Sequence, residues 1–328
     1  MTILKTINDE TIAEAAERLS AGELVCFPTE TVYGLGANAL SGQAVAKIFE
    51  AKNRPSFNPL IVHVADKKQA EKYAVFNDAA QALAGQFWPG PLTLILPRNP
   101  QGGISDLVTA GLDTVAIRVP AHPGALKLLK KCGLPVAAPS ANASGEPSAT
   151  TPQHVIESLK DRVPFILAGG ACTVGLESTV LDLTSDTPFI LRPGAITPED
   201  FAPVIGNVAY DFGDHDRPRS PGQLIKHYAP SLPVRLNAVD IAPGEALLSF
   251  GSVAFMGIRG GGSAKSLPDT QHISLSETGD LYEAAARLFA GLRHLDCAPH
   301  TGIAVMNIPD KGVGVAINDR LKRAAQGR

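Results

Sequence analysis

Cations and small polar residues near the ends of apolar runs are where this sequence could do chemistry. Lys52 and Arg54 stand two apart in AKNRPSFNP, where Pro55 bars further helix and Asn58 follows. His63 lies in PLIVHVA and Arg118 in TVAIRVP, both short strand-like runs. PVAAPSANASGEPS passes from an apolar run, through Ala138, into Ser140, Asn142, Ser144 and Ser148. Such a loop can offer hydroxyls and backbone N–H groups to phosphate oxygens without bulky side chains in the way. GLESTVLDL and ILRPGAI add Glu177, Ser178 and Arg192. Together these residues suit a site that holds anions and polar groups.

Each has an ordinary alternative. Cations at a helix C-terminus complement its dipole and need no ligand. A histidine in a buried strand is commonly a hydrogen-bonded core residue, and Ser, Asn and Gly build turns. Arg118 is harder to dismiss, because an arginine inside a strand must be paired or face a ligand.

FPTETVYGLGANAL holds a Gly-x-Gly-x-x-Ala string at Gly34, Gly36 and Ala39. A dinucleotide-binding turn should follow its strand directly, whereas PTETVY intervenes, so these glycines are expected to shape a turn. Pro28-Thr29-Glu30-Thr31 is then the part of this stretch that could carry chemistry. The Walker spacing is absent, since GGGSAKS at Gly260–Ser266 does not fit it. No Ser/His/Asp order, cysteine nucleophile motif or paired-carboxylate signature stands out.

Positioning these side chains requires strands alternating with helices. NDETIAEAAERLSAG places Ile12, Ala15, Ala16 and Leu19 on one helical face, with Asn8 or Asp9 as cap and Gly22 as stop. GQAVAKIFEAKNRP reads as a second helix. Strands are expected at ELVCFP, PLIVHVA, PLTLILP, TVAIRVP, LPVAAP, FILAGG and STVLDLT. By alternation, Leu60, Val62 and Val64 face opposite to Ile61 and His63, and Val115, Ile117 and Val119 opposite to Thr114, Ala116 and Arg118. Between Gly206 and Pro230 the periodicity fails, as in a linker or functional loop. Beyond Ser231, the runs PVRL, EALLSFG, VAFMGI, QHISLS and IAVMNIP surround a helix marked by Leu281, Ala285, Leu288, Leu292 and Leu295. The glycine-rich GVGVAIND reads as a packing turn.

At 328 residues the chain exceeds what one core usually organises, so two domains are expected. An apolar share of 45% with 19% charged residues is globular, and no apolar run approaches the length that spans a bilayer. The N-terminal residues lack a signal-peptide pattern, which makes the cytosol the expected compartment. Cys26, Cys132, Cys172 and Cys297 are scattered, which argues against structural zinc or disulfides. A net charge of −3 disfavours a surface coated in phosphate-binding residues but allows a local basic groove.

PTETVYGLG, Lys52-x-Arg54, NPLIVHV, WPGPLTLIL, AIRVP, PSANASGEPS, ESTVLDL and LRPGAI, in this order, resemble the threonylcarbamoyl-AMP synthase family, the YrdC-like enzymes. SPGQLIKHYAP and GVGVAINDRLKRA resemble its longer members. The resemblance implies an α/β chain: a twisted mixed-sheet catalytic domain over 1–205, a linker acting as a lid over 206–231, and a smaller Rossmann-like domain over 232–328. It implies that L-threonine, bicarbonate and ATP become threonylcarbamoyl-AMP and pyrophosphate, with Mg²⁺ on the phosphates and no protein metal ligands. The product would pass to a tRNA threonylcarbamoyl transferase. Carried over, Thr31, His63, Arg118, Ala138 and Ser178 would hold threonine, Arg118 by a two-pronged contact to its carboxylate. Lys52, Arg54, Asn58, Thr114, Ser140, Asn142, Ser148 and Arg192 would surround ATP, with His227 and Tyr228 as lid contacts and Lys52, Arg54, Ser140 and Asn142 closest to the chemistry. The competing class is a non-catalytic RNA-binding module of the same fold, and weak RNA contact fits either reading. A hydrogenase-maturation enzyme sharing the catalytic domain would need more length and cysteine pairs.

Overall fold

The computed structural model describes residues 2–55, 57–212, 227–254 and 256–327. The chain divides into two compact units. The first comprises Met1–Ser144, Ala149–Thr173 and Glu177–Leu224, and the second Gly145–Ser148, Val174–Leu176 and Ile225–Arg328.

Among the described residues the first unit carries one sheet of eleven strands. In chain order these are β1 (Ile3–Thr6), β2 (Val25–Phe27), β3 (Gly34–Asn38), β4 (Ile61–His63), β5 (Leu92–Pro97), β6 (Thr114–Arg118), β7 (Val136–Ala137), β8 (Phe165–Ala168), β9 (Thr179–Asp182), β10 (Phe189–Arg192) and β11 (Ala209–Tyr210). Their spatial order is β1-β8-β2-β3-β7-β4-β6-β5-β9-β10-β11. Pairing is mixed: β4 and β6 run parallel, β2 and β3 antiparallel. Ala209–Tyr210, inside the stretch read as linker, adds the edge strand along β10.

Helix Asp9–Ser20 forms where expected, because Asn8 and Thr11 close a capping box and Ile12, Ala15, Ala16 and Leu19 are buried. Helix Gly42–Lys52 starts from Ser41 and stops at Asn53, whose φ of 50° cannot continue it. The predicted strand faces are those observed. Leu60, Val62, Val64, Val115, Ile117 and Val119 join the large core, while Ile61, Ile95, Ala116, Val180 and Leu191 form a separate cluster. The members of that smaller cluster all come from strands, so on this face the sheet itself presents side chains between its apolar residues.

Gly34 and Gly36 do not shape a turn: they lie within β3, which pairs with β2 so that Phe27 faces Gly34 and Val25 faces Gly36. A Cβ on Gly36 would fall 2.8 Å from the Phe27 ring and 2.9 Å from Val136. Here glycine makes room for an aromatic ring packed over the strand, a close-approach role rather than a bend. The connection is residues 28–33, PTETVY, which places Thr31 at the tip of the β2–β3 hairpin.

The second unit has a four-stranded, all-parallel sheet ordered β12-β17-β14-β16, built from β12 (Val234–Arg235), β14 (Glu245–Ser249), β16 (His272–Ser274) and β17 (Gly302–Val305). VAFMGI contributes only β15 (Gly257–Ile258), which pairs with β13 (Asp240–Ile241). Helices Leu281–Leu295 and Val313–Ala324 complete a small α/β unit. GVGVAIND opens the second of these helices rather than making a turn. Gly312 holds a positive φ of 51° just before it, and a Cβ on Gly314 would lie 2.0 Å from the Pro309 carbonyl oxygen. Among the described residues no helix is long and apolar enough to cross a membrane.

Candidate active site

Five consecutive strands, β4-β6-β5-β9-β10, bring His63, Arg118, Thr93 and Arg192 to one region of the first unit, with Ser178 just before β9. Arg118 organises it. The guanidinium is buried and donates from Nε to the Gly90 carbonyl at 3.1 Å, from Nη1 to Thr31 Oγ1 at 2.9 Å and from Nη2 to Glu30 Oε1 at 2.5 Å. Glu30 Oε2 accepts from the Ala121 N–H at 3.0 Å. Thr31 is fully buried, and its hydroxyl also meets Thr29 Oγ1 at 2.8 Å. Thr29 in turn donates to the Val32 carbonyl, closing the hairpin tip on itself.

His63 is the register partner of Arg118 across the parallel β4–β6 pair. Its ring is buried edge-on to Phe27 at 6.1 Å, and Nδ1 has no hydrogen-bond partner among the described residues. Burial, reinforced by the neighbouring Arg118 charge, holds its pKa down to about 3. The imidazole is therefore neutral at physiological pH and able to accept or donate one hydrogen bond. Because the folded value lies below the free value of 6.5, the unfolded chain takes up this proton first as pH falls. Its contribution to stability is complete above about pH 6.5 and is lost progressively toward pH 3. His63→Gln is expected to flatten the acid limb of a stability curve measured by urea denaturation between those limits. An unchanged acid limb would show that His63 does not titrate in this way.

Ser178 is fully buried, with its hydroxyl 2.7 Å from Thr93 Oγ1. Arg192 donates to the Ser178 carbonyl from Nε at 3.1 Å and to the Ser178 hydroxyl from Nη2, also at 3.1 Å. Ala138 follows β7, and its N–H is already given to the Ile61 carbonyl at 2.9 Å. If Ala138 touches a ligand it does so through other atoms.

On the other side, the end of helix Gly42–Lys52 is stitched to the PSANAS loop. Lys52 is almost wholly buried, and its ammonium donates to the carbonyls of Ser140, at 2.5 Å, and Asn142. The Ser144 N–H returns a bond to the Lys52 carbonyl at 2.8 Å. The loop is tied to the hairpin as well, Ala141 N–H donating to the Tyr33 carbonyl at 2.8 Å. Lys52 is a helix-end cation that is buried and bonded to loop carbonyls. Arg54 is buried and donates to the Pro59 carbonyl at 3.2 Å. Asn58 is wholly buried, and neither atom of its side-chain amide has a partner among the described residues. Such a group costs free energy unless something else satisfies it. Thr114 is half-buried at the start of β6, on the strand face of Arg118 and about 13 Å from it at strand rise.

Ser148, His227 and Tyr228 belong to the second unit. There the Tyr228 ring lies 4.0 Å from that of His227 and 5.4 Å from that of Phe289, with the buried Arg320 guanidinium over it at 5.4 Å. Tyr228 has a φ of 65°, a conformation a bulky residue holds only when its surroundings over-determine it. Residues 213–226, the larger part of the expected lid, lie outside the described residues.

Sequence reasoning gave Thr29 and Glu30 no role beyond membership of a stretch that could carry chemistry, and it passed over Thr93. Glu30 had a usable signal: a strand arginine needs a counter-charge, and a carboxylate sits beside Thr31 in the same motif. Cys172 is no nucleophile here, because burial pushes its thiol up to about 12.

Two family models match the chain. One, described as "Telomere recombination" and covering Sua5, YciO and YrdC, matches residues 17–194. The other, described as "Threonylcarbamoyl-AMP synthase, C-terminal domain", matches 196–326. A Bacillus subtilis protein named threonylcarbamoyl-AMP synthase is 45% identical over 98% of this chain and 94% of its own length. A Schizosaccharomyces pombe protein of the same name is 37% identical over 92% of this chain and 84% of its own length. The crystal structure of Pyrococcus abyssi Sua5 complexed with L-threonine superposes with a TM-score of 0.86 at 39% identity, covering 99% of this chain and 97% of that one. With both family models matched and relatives alike over nearly its whole length, the chain belongs to the threonylcarbamoyl-AMP synthase family.

Proposed function

We propose that this chain joins L-threonine, bicarbonate and ATP into L-threonylcarbamoyladenylate, releasing pyrophosphate, for the threonylcarbamoyladenosine modification of tRNA. What carries the reading is full-length likeness to synthases of that name, one of them solved with L-threonine bound. The pocket chemistry supports it. Arg118 supplies a planar cation for an amino-acid carboxylate, His63 a neutral ring, and Thr31 and Ser178 hydroxyls. Lys52, Arg54, Asn58, Thr114, Ser140, Asn142 and Arg192 are proposed to serve the nucleotide, and a nucleotide role is likewise proposed for Ser148, His227 and Tyr228.

In the proposed reaction the neutral threonine amine attacks the bicarbonate carbon, forming a C–N bond as the C–OH bond breaks, and the departing hydroxide leaves as water with a proton from the amine. The resulting carbamate oxygen attacks the α-phosphorus of ATP, and the bond to pyrophosphate breaks. This chemistry asks the protein for alignment and charge neutralisation more than for a nucleophile. Among the described residues no group of three or more His, Cys, Asp or Glu could hold a metal ion. Mg²⁺ is proposed to enter as the counter-ion of the ATP phosphates, as part of the substrate. The setting proposed is the cytoplasm, with the adenylate passed to a transferase that acts on tRNA.

The test is pyrophosphate release from Mg²⁺ and ATP with threonine and bicarbonate each omitted in turn. Release is expected to require both. Undiminished release without either one would overturn the reading.

A further inference from the structure

Glu30 is the only carboxylate that the hydrogen bonds among the described residues place on Arg118, and both its oxygens are engaged. Its side chain is 10% exposed and that of Arg118 3%. Two charges this deeply buried carry a desolvation cost that close geometry and further hydrogen bonds only partly offset, so the pair calls for a further role.

The donor count shows what that is. Guanidinium has five N–H groups, of which Nε–H is spent on Gly90, one Nη1–H on Thr31 and one Nη2–H on Glu30. That leaves one N–H on each terminal nitrogen, the pair a two-pronged contact to a carboxylate requires. The contacts to Thr31 and Glu30 hold the two terminal nitrogens at separate points, so the guanidinium plane cannot swing about the Cδ–Nε bond. The Ala121 N–H holds Glu30 from behind through its other oxygen.

We propose that Glu30 is the positioning residue that sets the guanidinium plane of Arg118 for bidentate capture of the amino-acid carboxylate. This rests on the reading of the pocket as a threonine site. Glu30 acts through Arg118 and touches no reacting atom. Glu30→Gln keeps the shape and one acceptor for Arg118, but loses the charge and turns an amide N–H₂ toward the Ala121 N–H.

The experiment titrates the full-length protein calorimetrically with L-threonine, with L-threoninamide, which lacks the carboxylate, and with ATP. Glu30→Gln is expected to weaken L-threonine binding about tenfold or more while changing L-threoninamide and ATP by less than about twofold. Equal weakening of L-threonine and L-threoninamide would overturn the proposal, since a general disturbance of the pocket does not discriminate between them. Unchanged L-threonine affinity would overturn it too. Should Glu30→Gln fail to fold, Glu30→Asp keeps the charge but is too short to bridge Arg118 and Ala121, and it must show the same carboxylate-dependent loss. Failure of the wild-type protein to bind L-threonine at all would instead strike the substrate reading.

Discussion

Arg118→Ala is expected to lower threonine-dependent pyrophosphate release by about 10²- to 10⁴-fold, the equivalent of losing two charge-assisted hydrogen bonds to the substrate. The sequence alone leads one to expect this loss without unfolding. The structure changes that second half. Removing the guanidinium leaves the Glu30 carboxylate buried with the Ala121 N–H as its remaining hydrogen-bond donor among the described residues, and leaves the Gly90 carbonyl and Thr31 hydroxyl without a donor they now have. Breaking a buried pair from one side costs about 3–5 kcal/mol, so the urea midpoint should fall well below that of the wild type. Arg118→Lys is expected to recover part of the stability, because a cation again faces Glu30, and little of the activity, because a point charge cannot reproduce the planar fork. The deciding measurements are threonine KM and the urea midpoint for both variants. An alanine variant with wild-type KM would remove Arg118 from the substrate site.

The second large effect is at Lys52. Its ammonium is the clasp between a helix end and the Ser140–Asn142 turn. Lys52→Met keeps much of the stem volume and deletes the clasp, leaving the two carbonyls short of a donor at about 1–3 kcal/mol each if water cannot reach them. Because the loop belongs to the proposed nucleotide side, the expected signature is a fall in kcat/KM for ATP of about 10²-fold or more, with threonine binding far less affected. Circular dichroism should show a folded protein, since the hairpin tie from Ala141 to Tyr33 and the large core are intact. Wild-type kinetics in Lys52→Met would return Lys52 to the role of a helix-terminal cation.

How much of this was legible in the chain depends on the distance over which each feature is decided. Strand alternation is local, so the partition of Val115, Ile117 and Val119 from Thr114, Ala116 and Arg118 could be read directly, and the clusters agree with it. Helix Asp9–Ser20 was legible because its cap and its apolar face are both local. What escaped was decided by partners far away in sequence. Arg118 meets Thr31 and Glu30 across 87 and 88 residues, and no periodicity encodes that pairing. Gly36 was misjudged because the Phe27 and Val136 side chains that exclude a Cβ there arrive only once β2, β3 and β7 are assembled. The list of side chains facing a ligand came from the family resemblance, whereas strand faces and charges indicated only a polar, anion-holding wall.

The clasp at Lys52 has one more implication. The proposed product is a mixed anhydride, an acylating agent that a free amine or thiolate would consume. Lys52 commits its ammonium protons to carbonyl oxygens, and the buried Cys172 thiol stays protonated. In the proposed reaction the electrophile would thus form without being offered these two nucleophiles.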